Sequence, residues 1–355
     1  MARSIATSTL ALTQCAHFDF ESNEYKALFA RANASAFQRP EWLTAFYRHL
    51  LDKRRAEPVV IVGRLAATGV LAMVLPLLRR KICDAVTTEY AFLEVTDYAC
   101  PVVDERVVIA LQQSTQLPRL FLEAVGDTDI LAIEPVRQQD VAIWQTLTGM
   151  PAQELDYGAH AVEFGRPFDT WRSSNLGRHR RHDLDSRRKQ LSQKGALELR
   201  VVPADDVCRV LRSARQFRIG RFPGDPIQQG EVFDFYCEVA SRGAVSGAAR
   251  TYELCCGDNS VAIIFGLVDG RRYCGLVLGC DYENYAKYSP GLLIFDLAME
   301  HWAASGGEVF DLTVGDEPYK NVFRSKRSPM YRLFSTIQSS KCAMHLSAAR
   351  SGETE

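Results

Sequence analysis

The chain has 355 residues, 47% hydrophobic and 24% charged, the balance of a globular protein long enough for two domains. Its formal net charge of −1 gives no global attraction to nucleic acid or to an anionic membrane surface. The longest unbroken apolar run, Val70–Leu75, falls far short of the roughly 20 residues that span a bilayer, so no transmembrane segment is expected. The N-terminus, MARSIATSTLALTQCA, has a lone Arg3 and an interrupted apolar stretch, a poor signal peptide, and a cytoplasmic location is expected. Ten cysteines are scattered without a CxxC pair, which reads as free buried thiols and predicts no metal site.

Phe37-Gln-Arg-Pro40 leads into a helical pattern over Glu41–Leu51, with Pro40 suited to the first turn and Trp42, Phe46 and Leu50 at four-residue spacing. Strands are predicted over Pro58–Gly63 and Val70–Leu78, joined by a turn through Ala66–Gly69 and covered on both faces. A helix over Glu105–Gln113, a strand over Leu120–Val125 and a helix around Val141 follow. The second half repeats the order. Strands are expected over Tyr252–Cys256, Val261–Val268 and Tyr273–Gly279, with an Asp269-Gly270 hairpin between the last two. A helix and the strand Glu308–Val314 complete the repeat. The pattern predicts a mixed α/β protein built from a duplicated unit, with the boundary near Gly165–Pro167.

Between the halves, Arg172–Lys189 carries seven basic and two acidic residues, a local charge of +5. Ser173 or Ser174 is a candidate cap for a helix running toward Gly195. The basic run around Arg178–Lys189 is a candidate surface for an anionic substrate. Its competing reading is a solvated face whose cations pair with acids elsewhere. No aromatic residue is interleaved after Trp171, so nucleic acid is not the first choice.

Candidate chemistry concentrates in Tyr288–Lys320. Tyr288-Ser-Pro-Gly291 is a sharp turn feeding an apolar helix that Gly306-Gly307 stops. Such a helix start leaves N–H groups free for an anion, typically a phosphate. Ser289, Pro290, Gly291 and Leu292 are the candidate binding residues, against the plain reading of an ordinary helix start. Upstream, Asp281 and Glu283 fall near a strand end, where a carboxylate can take a proton from an amine. Tyr282, Tyr285, Tyr288 and Tyr319 offer phenols for a leaving thiolate. Gly315-Asp-Glu-Pro-Tyr-Lys320 puts Asp316, Glu317 and Lys320 just past a strand, where ligands collect in open α/β sheets. No GxSxG, GxxxxGK[ST] or HExxH is present.

At YSPGLLIFDLA…GGEVFDLTVGDEPYK the sequence resembles the CelD-like acetyltransferases, a branch of the GNAT superfamily associated with cellulose and exopolysaccharide loci and related in fold to the FemAB transferases. Phe37-Gln-Arg-Pro-Glu-Trp42, Leu75-Pro-Leu-Leu-Arg-Arg80, Asp97-Tyr98 before Pro101, and the basic helix after Phe168-Asp-Thr-Trp171 are similar too. The resemblance implies tandem GNAT-like units, 1–165 and 166–345, with 346–355 a disordered tail. It implies acetyl-CoA or another acyl-CoA as co-substrate, its diphosphate against Ser289, Pro290, Gly291 and Leu292. The fuller glycine-rich loop of classical GNAT enzymes, with its leading Arg or Gln, is absent, and Asp311-Leu-Thr-Val314 replaces the family's basic or aromatic residue after Asp-Phe. The expected reaction moves an acyl group to an amine or hydroxyl of a small molecule, glycan or peptide in exopolysaccharide or envelope synthesis. Asp281 or Glu317 would be the base, Tyr319 the acid, and Lys320 a contact for an anionic group. The alternatives are a FemAB-like transferase using aminoacyl-tRNA, which the basic run would serve, and a non-catalytic GNAT-like scaffold.

Overall fold

The computed structural model describes residues 10–165 and 167–337; the expected tail over 346–355 lies outside them. The chain forms two compact units, one ending at Leu155 and completed by the residues from Met330, the other Asp156–Pro329. Each is a mixed sheet flanked by helices, as the α/β pattern predicts.

The first unit runs β1 (Leu10–Cys15), α1 (Asn23–Phe29), α2 (Pro40–His49), β2 (Ala56–Leu65), β3 (Leu71–Ile82), β4 (Ala85–Tyr90), β5 (Val102–Val103), α3 (Glu105–Gln112), α4 (Leu117–Val125), β6 (Ile130–Arg137) and α5 (Gln138–Thr148). Its sheet has the order β1-β2-β3-β4-β6, with β5 against β3 and β4 parallel to β6. The first eight residues of β3 are all buried, which is why that strand reads as a continuous apolar run. Pro40 opens α2, and Trp42, Leu43, Ala45 and Phe46 are its buried face. One expectation is corrected: Leu120–Val125 is helical, part of α4. Leu117, Phe121 and Val125 form a buried stripe at four-residue spacing, and a short apolar run does not by itself distinguish strand from helix.

The second unit continues with β7 (Ala152–Glu163), α6 (Phe168–Asn175), α7 (Arg178–Ser192), β8 (Leu197–Val201), α8 (Ala204–Arg218), α9 (Gly230–Ser246), β9 (Ala249–Cys256), β10 (Asn259–Asp269), β11 (Arg272–Cys280), α10 (Tyr282–Tyr285), α11 (Pro290–Ala304), β12 (Val309–Val314) and β13 (Lys326–Thr336). Its sheet order is β7-β12-β11-β10-β9-β8, antiparallel except for β11 and β12. β13 belongs to the first unit through Met330–Thr336, which pair with β6.

Helix α8 packs on β10 and β11, and α9 on β9. Alternate residues Tyr252, Leu254 and Cys256 enter the cluster built around α11 instead, so this sheet too is covered on both faces. At Gly279 a side chain would meet the backbone of Ala214 at 2.6 Å; glycine lets α8 close onto β11. The basic segment is two helices rather than one, broken at Gly177. Ser173 and Ser174 do not cap α7; their hydroxyls bond back to the carbonyl of Thr170. No helix among the described residues is long and apolar enough to cross a membrane.

Candidate active site

The parallel strands β11 and β12 pair only at Arg272–Cys274 against Val309–Asp311. Beyond that point they part. Among the described residues no strand pairs with the β12-facing backbone of Gly275–Cys280, which leaves a gap between the two strand ends. Thr313 reaches across its start, its hydroxyl donating to the Gly275 carbonyl at 3.5 Å. Both strands carry an irregularity at this place. In the β10–β11 register Phe265 faces Val277 and Gly266 faces Gly275, so Leu276 is an extra, bulged residue. In the β12–β7 register the shift falls between Asp311 and Thr313, and Thr313 has a left-handed φ of 57°. Asp311 holds that kink: one carboxylate oxygen accepts from the Thr313 amide at 2.8 Å and the other from Arg272 at 2.8 Å. The result is backbone donors and acceptors released from the sheet at one point, the raw material for polarising a carbonyl.

The turn after β12 is held by Lys320. Its side chain is 1% exposed, and its ammonium donates to the carbonyls of Thr313, Val314 and Gly315 at 3.1, 2.6 and 2.9 Å and pairs with Glu317 at 2.9 Å. With more partners than N–H donors, Lys320 fastens the end of β12. The Glu317 carboxylate is half-exposed beside it. Tyr319 stacks on Phe295 of α11, ring centroids 5.2 Å apart. Next to this turn, the buried His160 of β7 bonds through Nε2 to Asp316 at 2.7 Å and through Nδ1 to the Ser325 hydroxyl at 3.0 Å. Asp316 also accepts two bonds from Arg327, and these with His160 pull its carboxyl down to about 2.

The start of α11 lies beyond the end of β11. Ser289 is its cap residue, with a left-handed φ of 51°, and Pro290 is the first helical residue. The amides of Leu292 and Leu293 both turn back onto the Ser289 carbonyl, at 3.0 and 3.1 Å. Pro290 has no N–H, so the Gly291 amide is the one left without an acceptor among the described residues. The Ser289 hydroxyl accepts from Arg187 of α7, which also donates to the Lys287 carbonyl. Gly291 is enclosed: a Cβ there would sit 2.9 Å from the Tyr282 hydroxyl. Burial beside Cys280 pushes the Tyr282 phenol up to about 12, and the Arg221 guanidinium lies 4.0 Å over its ring.

Asp281 caps the short α10, accepting from the Asn284 amide at 3.0 Å and its side-chain NH₂ at 2.8 Å. The structure thus brings Glu317, Tyr319 and Lys320 together after β12, and Ser289 to Leu292 together at α11. Asp281, at the end of β11, is bonded to Asn284 and joins neither group. In the basic run, Arg172 pairs with Asp185 and Asp296, Arg187 with Asp183, and Arg188 with Glu300. Arg178 and Lys189 remain solvent-exposed. Sequence reasoning did not find Thr313, Leu276, His160 or Tyr282's contact with Gly291. Bulges and partners more than 150 residues apart leave no local pattern. Among the described residues there is no group of three or more His, Cys, Asp or Glu able to hold a metal ion.

Residues 178–321 match the Acetyltransferase (GNAT) domain model, and this domain is a GNAT-type acyltransferase domain. No curated protein matches the sequence. Among solved structures, the chain is similar in fold to FemX, with a TM-score of 0.63 and 10% identity over 92% of this chain and 98% of that one. L-PGS from Bacillus licheniformis gives 0.55 and 11% over 94% and 96%. The C-terminal domain (DUF2156) of a protein described as a lysylphosphatidylglycerol synthetase, from Agrobacterium fabrum, gives 0.55 and 14% over 94% and 95%.

Proposed function

We propose that the second unit transfers an acyl group from an activated donor to an amine or hydroxyl, with the reacting carbonyl in the cleft where β11 and β12 part. The divergence of two parallel strands after three paired residues, with a bulge on each, is the observation that carries this reading. The acceptor's nucleophile attacks the donor carbonyl, and backbone N–H groups along Gly275–Val277 meet the oxyanion. The acceptor's proton passes to a carboxylate, Asp281 or Glu317. Collapse expels the thiolate, which Tyr319 protonates. Lys320 enters as a positioning residue: it fixes the turn that presents Glu317 and Tyr319. The donor is acetyl-CoA or a longer acyl-CoA, its diphosphate near Ser289, Pro290, Gly291 and Leu292. The two units are then tandem GNAT-like units, of the CelD-like branch, acting in exopolysaccharide or envelope synthesis.

One observation favours a second donor. With Leu292 and Leu293 turned onto Ser289, the start of α11 offers a diphosphate little beyond the Gly291 amide. An aminoacyl ester of tRNA needs no diphosphate cradle, and the exposed Arg178 and Lys189 would meet its backbone. The likeness in fold to FemX and to a lysylphosphatidylglycerol synthetase domain is compatible with it.

Calorimetry with acetyl-CoA, longer acyl-CoAs and free coenzyme A tests the first donor. Acyl-CoA binding is expected. Salt-sensitive binding of charged tRNA without acyl-CoA binding moves the donor to the second reading. Binding of neither, and no thiol release from any donor, overturns acyl transfer in favour of a scaffold.

A further inference from the structure

A second cleft, of about 750 Å³, opens on the second unit beyond the end of β11 and shares Asp281 with the candidate active site. Arg209, Ser213 and Phe217 of α8 line one side, and Asp258 of the β9–β10 turn with Asn259 and Ser260 at the start of β10 another. Lys194 and the segment Asp281–Tyr288 close it, and neither β12 nor α11 contributes. Its size is that of a small-molecule site.

The chemistry of the lining is specific. The Ser260 hydroxyl is shielded from solvent and meets no hydrogen-bonding group among the described residues. Much of the cleft's charge is already spent: Glu253 is paired with Arg200, Arg209 with Asp206, and Asp281 with the Asn284 amides. Lys194, Lys287 and Asp258 make no ion pair among the described residues, which leaves two cations against one carboxylate. The Lys287 side chain is exposed, with its ammonium 5.0 Å from the centre of the Tyr288 ring. Asn259 and Asn284 add amides that both donate and accept, and Tyr285 and Phe217 add ring faces.

We propose that this cleft binds a polyhydroxylated anion, a sugar carrying a phosphate or a carboxylate. Hydroxyls need partners that alternate donor and acceptor, which Ser260, the two asparagines and Asp258 provide. The anionic group falls to Lys194 and Lys287. A nucleotide fits less well, because the lining rings of Tyr285 and Tyr288 are tilted by 43° with centroids 6.5 Å apart and form no parallel slot for a base.

Titration calorimetry on the full chain, with no acyl donor present, tests the assignment separately from the acyl-transfer reading. The probes are glucose 6-phosphate, glucuronate, glucose and inorganic phosphate. One or both acidic sugars bind at least tenfold more tightly than glucose and than inorganic phosphate; which of the two prevails identifies the source of the charge. Lys194→Gln with Lys287→Gln weakens that binding tenfold or more while the melting temperature holds, since both lysines are exposed. Ser260→Ala weakens it several-fold without touching charge. Binding of inorganic phosphate as tight as that of the sugar phosphate, binding that ignores the lysine substitutions, or no acidic-sugar binding overturns the proposal.

Discussion

The ammonium of Lys320 lies 2.6 Å from the carbonyl oxygen of Val314, the last residue of the strand on one side of the β11–β12 gap. Two further carbonyls and Glu317 complete its surroundings. Replacing it with methionine leaves three carbonyls without their donor in a site that is 1% exposed. The expected cost is roughly 3 kcal/mol of folding stability, read from urea unfolding. Transfer activity falls with it, because the turn bearing Glu317 and Tyr319 is released. A Lys320→Met protein with unchanged stability would show that the turn is held by something else.

Asp316 gives the second unit an acid-sensitive contact. The Arg327 and His160 bonds hold its carboxyl at about 2 in the folded chain, below its ordinary 3.8. A carboxyl with a depressed folded value adds stability that is present above its ordinary value and is lost as pH falls toward the folded one. Stability should therefore drop between about pH 4 and pH 2, and Asp316→Asn should flatten that part of the curve. Urea midpoints taken across the range check it. Equal slopes for the two proteins would mean other carboxylates dominate the acid limb.

Where local chemistry decides structure, the sequence was readable. Pro290 after Ser289 starts α11, Asp269-Gly270 turns the β10–β11 hairpin, and the apolar run before Gly306 fills the helix. Where distant parts decide it, the sequence was silent. Leu120–Val125 is helical because Leu117, Phe121 and Val125 share a buried face, and the run alone fits either element. Helices α8 and α9 begin after Pro203 and Gln229 without a side-chain cap, and acids in the first turn, Asp205, Asp206 and Glu231, are the local signal that marks them. The candidate residues after β12 were found by their place past a strand, yet the role of Lys320 depends on which way its ammonium points. His160 reaches Asp316 only through the pairing of β7 with β12.

The basic run holds a buried ion pair. Arg172 bonds both oxygens of Asp296 at 3.0 Å, tying α6 to α11, with side chains 17% and 7% exposed. Burial raises the Asp296 carboxyl, and Arg172 opposes that rise. Arg172→Met strips the carboxylate of its counter-charge and should cost about 3 kcal/mol at neutral pH. The folded-state value then rises further, so the folded chain takes up a proton as pH falls. The loss should accordingly be largest near pH 8 and smaller near pH 5. Adding Asp296→Leu should recover part of it. A pH-independent loss, or a double variant as unstable as the sum of the singles, would remove the ion pair as the cause.

The contact between Gly291 and Tyr282 sets a two-part test of the donor site. A valine at Gly291 would place its Cβ 2.9 Å from the Tyr282 hydroxyl, closer than side chains tolerate, and would cover the amide left free at the start of α11. Gly291→Val should lower the melting temperature and weaken acyl-CoA binding at least tenfold. Tyr282→Phe removes the hydroxyl that the new side chain strikes. In the double variant stability should therefore return toward that of Tyr282→Phe alone, while binding stays weak, because the amide remains covered. Melting curves and calorimetry separate the two effects. If the double variant regains affinity along with stability, the loss in Gly291→Val came from distortion of the fold. If Gly291→Val binds acyl-CoA as the parent does, the diphosphate lies elsewhere.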